Sequence, residues 1–318
     1  MAPAVAGETV VIGSCSGTIY GLDTARGTVR WKYDTAQDGP SAEFHGESLV
    51  RNGTVFIGAD GPPTAHIYAL DTATGKLRWK RKVGHGVPTR VLGFQDSIAF
   101  VTGDGVLMSV DPGNGSSRWQ FESDDRIEGR QRISALAWKN AVVFHAPDGE
   151  VHLFAADTGK ELWKSDVGSP PSADPVMVGD DIVVATESGL LVRIAGKTGE
   201  RTARKKLDGR IYGALQTDGK RVLVLVSRND ETALVAFDAA LNGVEWEQTT
   251  TEWTTYRPLV RGGVIMVGAR DSLCSFETAD GTTIDCISVS GMVRSVAQEG
   301  DQLFVGTLRG TVFSNPGE

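Results

Sequence analysis

The stretch YALDTATGKLRW, residues 68–79, consists of a short apolar strand, a tight turn at Gly75 and a second strand that ends in Trp79. Close variants of this phrase account for five of the seven tryptophans in the chain. The tryptophans of these five copies are Trp31, Trp79, Trp119, Trp163 and Trp246. A tryptophan that returns in the same local setting indicates an internal repeat, and the repeat decides the fold.

The spacing of the repeat narrows the choice of architecture. Two further copies keep the turn glycine without the tryptophan, and the seven glycines are at positions 27, 75, 115, 159, 199, 243 and 281. Repeats of about 40–50 residues are typical of propellers or of helical arrays. Each copy holds short β-branched segments bounded by Gly, Asp or Asn, such as TVFIGA and DIVVATE, and no apolar stripe at helical spacing. The repeat therefore predicts four strands per copy, which make one blade of a β-propeller.

The tryptophans are predicted to be structural. An indole is a large apolar slab with one N–H donor, which suits the seam where one blade packs on the next. The alternative is that they stack against a ligand, but their spacing follows the blade rather than a site. Trp253 lies outside the phrase, and we expect it to contribute less to stability.

The chain is predicted to form one domain, residues 1–318, an all-β, eight-bladed propeller of four-stranded antiparallel blades. Eight segments have the pattern of an innermost strand, from APAVAG at the start to MVRSVAQ in the last copy. The last copy stops after its third strand, so we expect a short final blade. Either the ring closes with three strands there, or residues outside this chain supply the fourth.

The phrase resembles the tryptophan-docking motif of the PQQ-like β-propeller repeat family, and the resemblance covers nearly the whole chain. It implies the propeller fold and a BamB-like architecture, with protein partners in the bacterial envelope. It does not fix an activity, because one fold carries many functions. The PQQ-dependent dehydrogenases of the family have an adjacent-cysteine disulfide and a metal beside a catalytic aspartate. The sequence shows no Cys-Cys pair, and we expect no acidic cluster on the innermost strands.

Composition excludes several classes of function. The net charge of −8 argues against nucleic acid as a partner. No apolar run approaches the roughly 18 residues of a membrane span. The first residues, MAPAVAGETV, have the pattern of a strand and not of a signal peptide. We expect a periplasmic or extracellular location with no signal in this chain, and a cytoplasmic location stays open.

Cys274 and Cys286 flank the turn of the seventh copy, and a hairpin would set them opposite each other. Directly opposed strand residues have Cα atoms close enough for a disulfide. The alternative is a pair of small buried apolar residues, and the choice depends on an oxidising location.

Catalytic and metal motifs are weak. Cys15 in GSCSG resembles a nucleophile elbow, but a strand follows where that motif needs a helix. His145 and His152 would form a cross-strand pair if Asp148 and Gly149 made a two-residue turn. Such a pair could share a metal, yet no third ligand is evident. We therefore predict no metal, no cofactor and no catalytic residue.

A candidate ligand site lies at the starts of the innermost strands. Six residues occupy nearly equivalent places there: His45, Arg90, Arg132, Tyr212, Arg257 and Arg294. Innermost strands surround the central channel, and arginine is suited to bidentate binding of carboxylate or phosphate. The sequence thus predicts a channel for a small anionic ligand or an acidic peptide end. The alternative is that these arginines form salt bridges between neighbouring blades.

Together these observations predict a non-catalytic binding or scaffold propeller for protein or peptide partners. One alternative is a PQQ-dependent oxidoreductase that uses the channel. Another is the sensor domain of a larger protein, which the short last blade would favour.

Overall fold

A computed structural model of the chain describes residues 3–38, 43–61, 65–123, 133–229, 231–250, 253, 257–300, 302–307 and 312–316. These residues form β-strands and one short 3-10 helix, Ala36–Asp38. Within these ranges, no helix has the length and apolar character that crossing a membrane requires.

The first four sheets each contain four strands. Their strands are β1 (Ala4–Ala6), β2 (Thr9–Gly13), β3 (Thr18–Asp23) and β4 (Val29–Asp34); β5 (Leu49–Arg51), β6 (Thr54–Gly58), β7 (Ala65–Asp71) and β8 (Leu77–Val83); β9 (Leu92–Gly93), β10 (Ile98–Val101), β11 (Leu107–Val110) and β12 (Ser117–Phe121); and β13 (Leu136–Trp138), β14 (Ala141–His145), β15 (Glu150–Ala155) and β16 (Glu161–Asp166).

The remaining strands form three more sheets of four and one of three. They are β17 (Pro171–Val178), β18 (Asp181–Thr186), β19 (Leu190–Ala195) and β20 (Arg201–Lys206); β21 (Arg210–Thr217), β22 (Arg221–Arg228), β23 (Glu231–Asp238) and β24 (Val244–Thr250); β25 (Leu259–Arg261), β26 (Val264–Gly268), β27 (Ser272–Glu277) and β28 (Thr283–Ser288); and β29 (Val293–Glu299), β30 (Gln302–Thr307) and β31 (Val312–Pro316).

Each sheet is an antiparallel meander in chain order, and the first strand of each lies nearest the axis. Innermost strands of neighbouring sheets contact one another, and β29 of the last sheet contacts β1 of the first. The sheets therefore close into a ring, and the predicted all-β propeller is confirmed. The strands of the described residues group into eight antiparallel meanders, of which the fifth and sixth are joined edge to edge into one eight-stranded sheet. The last meander has three strands there, in line with the predicted short blade.

The repeated phrase forms the turn between the third and fourth strands of a sheet. In the second sheet, the carboxylate of Asp71 accepts the backbone N–H groups of Ala73 and Thr74. Gly75 then takes a φ of 69°, which a residue with a Cβ rarely adopts. The ladder shifts by one residue between Ala69 and Leu70, beside Trp79, and the same shift occurs next to the turn in the other six copies.

Each tryptophan of the phrase joins its own sheet to the next. The indole N–H groups donate to backbone carbonyls in the pairs Trp31 to Thr72 (3.0 Å), Trp79 to Pro112 (2.9 Å), Trp119 to Ala156 (2.9 Å), Trp163 to Gly196 (2.8 Å) and Trp246 to Thr278 (2.9 Å). Every acceptor stands three residues before the turn glycine of the following copy. A Cβ on Gly75 would lie 2.5 Å from the Trp31 ring, so the indole rests directly on the turn. The tryptophans occupy the seams, as the sequence predicts.

One seam without a tryptophan is closed in another way. Ala203 stands where the fifth copy would have its tryptophan, and it packs against an apolar cluster that draws residues from both the fifth and the sixth sheets. Here β17 also pairs in parallel with β21, at Asp174 and Ala214. Direct strand pairing and a shared apolar core thus replace the indole.

The side of the ring next to the three-stranded sheet is open. All six residues of β28 are exposed, among them Ile284 and Ile287, whereas the other fourth strands bury part of one face. On the first sheet, no atom lies within 4 Å of a Cβ built on Gly27, whereas five of the six other turn glycines carry an indole and the sixth, Gly243, faces the copy whose tryptophan position is Ala203. A fourth strand on the three-stranded last sheet would place its tryptophan position against Gly27 of the first sheet.

Trp253, which we expect to contribute less to stability, is buried as deeply as the tryptophans of the phrase. It is 7% exposed, against 8% for Trp246, and both belong to one apolar cluster between the sixth and seventh sheets. The two indoles differ in their hydrogen bonds. The indole N–H of Trp253 is buried without a partner, whereas that of Trp246 donates to the Thr278 carbonyl.

These two tryptophans form a matched pair for measuring the seam hydrogen bond. We expect Trp246→Phe to lower the free energy of unfolding by about 1 kcal/mol more than Trp253→Phe, because only the first change leaves a carbonyl without its donor. Urea unfolding of the two variants measures the difference. Equal losses would show that the seam depends on apolar burial alone.

Cys274 and Cys286 are directly opposite in the β27–β28 ladder, with Cα atoms 4.0 Å apart, and they form a disulfide in the structure. Cys286 is exposed, so the alternative of two buried apolar residues does not fit. Cys15 is free and exposed in the turn between β2 and β3.

The disulfide can be tested on chain purified from an oxidising compartment. Mass spectrometry of unreduced peptides should join Cys274 to Cys286, while Cys15 reacts with an alkylating reagent. Alkylation of all three cysteines without reduction would contradict this assignment.

Candidate functional site

Four charged side chains meet in the central channel, and we call them the channel cluster: Glu47, Arg90, Asp174 and Arg257. Arg257 precedes β25 of the seventh sheet. Its Nε lies 2.5 Å from Oε1 of Glu47, next to the second sheet, and its Nη2 donates to Oδ2 of Asp174 on β17 of the fifth sheet. The second, fifth and seventh sheets are not adjacent in the ring. One guanidinium can contact side chains from all three only if it extends across the central axis. The cluster therefore spans the channel.

Asp174 is the most buried member of the channel cluster, with a side chain that is 2% exposed. Its Oδ1 accepts the backbone N–H of Ser134 at 2.6 Å, and Ser134 Oγ accepts the backbone N–H of Arg90 at 3.1 Å. Burial raises the pKa of Asp174, while the nearby Arg257 and Arg90 oppose that rise. The carboxylate depends on its cation, because an unpaired buried charge is costly.

Arg90 is the member of the channel cluster that has no bonded carboxylate. Within the described ranges, no ion pair involves its guanidinium, and its Nε is buried without a hydrogen bond. Burial and the neighbouring Arg257 lower its pKa, and Asp174 and Glu47 act in the opposite direction. An arginine still keeps its charge at any physiological pH. The channel wall thus presents one cation that is partly exposed and not neutralised by direct bonding.

The sequence predicted one shared cationic mouth, and the structure brings only part of that set together. Arg90 and Arg257 meet in the channel cluster. His45 is bonded through Nδ1 to Asp60 at 2.9 Å and lies 3.6 Å from Glu43 through Nε2. The Tyr212 hydroxyl donates to the backbone carbonyl of Trp253 at 3.4 Å.

The two other predicted residues are Arg294 and Arg132. Arg294 lies on β29 and is exposed, next to the place where Arg257 bridges in parallel to Ser295. Arg132 lies outside the described residues. The prediction of a ligand site made by all six residues stays a prediction.

The sequence predicts no acidic cluster on the innermost strands, yet the structure brings two carboxylates together at the channel. Glu47 lies just before β5 and Asp174 lies on β17, and Arg257 pairs with both. The sequence pattern does not mark Asp174 as a channel residue, because the register of β17 shifts between Ala173 and Val176. Asp174 therefore does not align with the equivalent positions of the other innermost strands. Glu47 lies in GESLVRN, next to an apolar run that gave no sign of a charge directed at the axis.

The opposite end of the innermost strands forms a basin of about 570 Å³, lined in part by Arg51, Gln95 and Lys139. Its cationic side chains already have partners. Arg51 donates to the carbonyl of Gln95 at 2.6 Å, and Lys139 Nζ lies 3.0 Å from Asp180.

His145 and His152 do not share a metal. His145 pairs with Val151 in the ladder, and His152 pairs with Phe144, so the two rings point to opposite faces of the sheet. Burial lowers the pKa of His145 to about 4, and its Nε2 lies 3.1 Å from the Ser169 carbonyl. This histidine is a neutral core residue.

The sequence profile of the family described as "Outer membrane protein assembly factor BamB" matches residues 1–121, 38–153, 147–231 and 224–312. The chain belongs to this family. A BamB from Bordetella pertussis (strain Tohama I) is 28% identical over 169 residues, which are 52% of this chain and 42% of that protein. The chain therefore matches less than half of the length of this relative.

Two solved structures show the same fold. BamB from Moraxella catarrhalis superposes with a TM-score of 0.80 at 21% identity, covering 99% of this chain and 93% of that one. Quinohemoprotein alcohol dehydrogenase from Comamonas testosteroni superposes with a TM-score of 0.73 at 13% identity, covering 96% and 69%. At these identities the likeness concerns the fold alone.

The channel of this BamB-family chain does not fit a metal-bound quinone. Such a group needs carboxylate oxygens free to coordinate a cation. Both carboxylates of the channel cluster are taken by Arg257, and Asp174 also accepts a backbone N–H. Glu47, Asp174 and Arg257 form an ion-pair network, and Arg90 is an additional cation beside it.

The channel cluster yields a prediction about stability. Arg257→Met leaves Asp174 buried without its cation and should cost about 3–5 kcal/mol of unfolding free energy. Adding Asp174→Asn, which keeps an oxygen for the Ser134 N–H, should recover much of that loss. Chemical unfolding measures both values, and an Arg257→Met chain as stable as wild type would show that Asp174 does not need the pair.

The same variant should respond to pH in a defined direction. Without Arg257 the pKa of Asp174 rises further above its unfolded value of about 3.9, so the folded state binds a proton that the unfolded state releases. The stability deficit of Arg257→Met should therefore shrink as the pH falls from about 7 towards 5, and grow again as the pH rises.

Proposed function

We propose that this chain is a non-catalytic propeller scaffold in the bacterial envelope, where it binds a protein or peptide partner during assembly of outer-membrane proteins. Membership of the BamB family supports the scaffold role. The name of the Bordetella pertussis relative supports the process.

The observation that carries a binding role is the asymmetry of charge in the channel. Arg257 is satisfied by two carboxylates, whereas Arg90 beside it has none bonded to it. An acidic side chain or a terminal carboxylate of a partner would give Arg90 the bidentate pair that arginine favours. Glu47 and Asp174 repel such a group from close by, so binding should be weak and sensitive to salt.

The oxidoreductase alternative is not favoured. The dehydrogenase likeness is one of fold, and the channel carboxylates are engaged by Arg257. A sustained turnover of alcohol with added pyrroloquinoline quinone and Ca²⁺ would reverse this conclusion.

Peptide binding tests the role of Arg90. We expect a short glutamate-rich peptide to bind wild type weakly, with an affinity that falls as salt rises, and we expect Arg90→Met to lose that binding because the receptive cation is gone. Arg118→Met is the control, since it removes the same charge from the outer strand β12, where Arg118 pairs with Asp111. A glutamine-rich peptide controls for charge. Titration calorimetry at two salt concentrations measures each case.

Two outcomes of this titration would contradict the role of Arg90. Equal loss in Arg90→Met and Arg118→Met would mean that only overall charge matters, and unchanged binding in Arg90→Met would remove the channel from the proposal. The scaffold role itself is tested in the source bacterium, where deletion should lower the content of outer-membrane proteins and wild type should restore it. Normal content after deletion would contradict the role in assembly.

A further inference from the structure

The fourth sheet carries a cluster of ligand-type side chains that shares no residue with the channel cluster. Asp148, Glu150 and His152 each offer an atom, and these three atoms lie within 4.8 Å of one another. Asp148 occupies the turn between β14 and β15, where its Oδ1 accepts the backbone N–H of Glu150 at 2.8 Å. Glu150 and His152 alternate along β15 and therefore point to the same face. Local backbone structure thus sets all three groups side by side.

The imidazole of His152 is the decisive member of this cluster. Its side chain is 3% exposed, and its Nδ1 lies 2.8 Å from Oε2 of Glu161 on β16. Because a carboxylate only accepts, Nδ1 carries the hydrogen, and in the neutral ring Nε2 presents a lone pair. This Nε2 is buried, has no hydrogen-bond partner and lies 3.8 Å from Oε2 of Glu150. A buried acceptor nitrogen that lies beside two carboxylates, with no donor bonded to it, offers a place for a cation.

Neighbouring side chains fix the ring and set the charge. The Phe121 ring lies 4.6 Å from that of His152, and Phe154 stacks on it at 5.5 Å. The Lys164 ammonium lies 2.9 Å from the Glu150 carboxylate and is the one cation bonded to the cluster in the described ranges. Three carboxylates against one ammonium leave an excess of negative charge that favours a dication.

The geometry points to a site for a borderline divalent metal such as Zn²⁺, with His152 Nε2, Glu150 and Asp148 as ligands. A ligand set of one imidazole and two carboxylates suits this class of ion. Glu161 supplies the carboxylate that orients a metal-bound histidine through its other nitrogen. With metal–ligand bonds of about 2.0–2.2 Å and tetrahedral angles, ligand atoms lie about 3.3–3.6 Å apart. The 3.8 Å between His152 and Glu150 is close to this range, and a small rotation of the half-buried carboxylates brings all three ligand atoms within it.

Titration of the intact, metal-stripped chain with Zn²⁺, and with Co²⁺ for its absorption bands, tests the site. We expect one ion per chain. His152→Gln should abolish that binding, and Glu161→Gln should weaken it on the order of 10- to 100-fold, because the ring loses its orienting carboxylate. Lys164→Met should strengthen binding a few-fold, since it removes the ammonium that competes for Glu150. A purely structural role for Lys164 would not produce a tighter site.

The controls separate this site from surface binding. His85→Gln removes an exposed histidine that pairs with Asp104 at 3.1 Å, and it should leave the titration unchanged. If His152→Gln does not fold, Glu150→Gln changes a less buried residue and should cause the same loss with the melting temperature retained. Binding that survives His152→Gln or Glu150→Gln in folded chain, binding lost in His85→Gln, or no binding of either ion at millimolar concentration would each overturn the proposal.

Discussion

The rest of the structure depends on the contact between the tryptophan of one sheet and the turn of the next. The indole lies flat on a glycine whose positive φ makes the turn, and its N–H reaches a carbonyl three residues earlier. One short phrase thus supplies both halves of a seam, the indole on one side and the receiving turn on the other. A ring of separate small sheets can then be stable, because each sheet buries apolar surface only against its neighbours. In the described residues, the turn glycines without an indole are Gly27 and Gly243.

The ring in turn makes the channel cluster possible. Arg257 reaches Glu47 and Asp174 because the innermost strands of the second, fifth and seventh sheets face one axis. This network bonds sheets that are not neighbours, which the seams cannot do. Arg257 uses its charge within this network, whereas Arg90 beside it has no bonded carboxylate in the described ranges.

Sequence predicted what is local and repeated. The turns, the seam tryptophans and the opposed pair Cys274 and Cys286 each follow from spacing within one copy, and the structure places them as expected. It did not predict pairs between distant copies, such as Arg257 with Glu47, because no local pattern encodes which charges meet across the axis.

The register of one hairpin differs by one residue from the register that the sequence predicts. A two-residue turn at Asp148 and Gly149 would set His145 opposite His152, but the ladder pairs His145 with Val151. A shift of one residue moves a side chain to the other face of the sheet. His145 therefore enters the core, and His152 instead faces Glu150 and Asp148. Trp253 is also buried between sheets, although it lies outside the repeated phrase.

Site-specific photocrosslinking in the source bacterium tests the central claim most directly, because it reads out where a partner contacts the ring. A benzophenone side chain at position 294, exposed on the innermost strand β29, should form an adduct with another protein of the envelope. The same probe at position 118 on the outer strand β12 should form none. Adducts from position 118 alone, or from neither position in cells that make the folded chain, would contradict a scaffold that binds its partner at the channel.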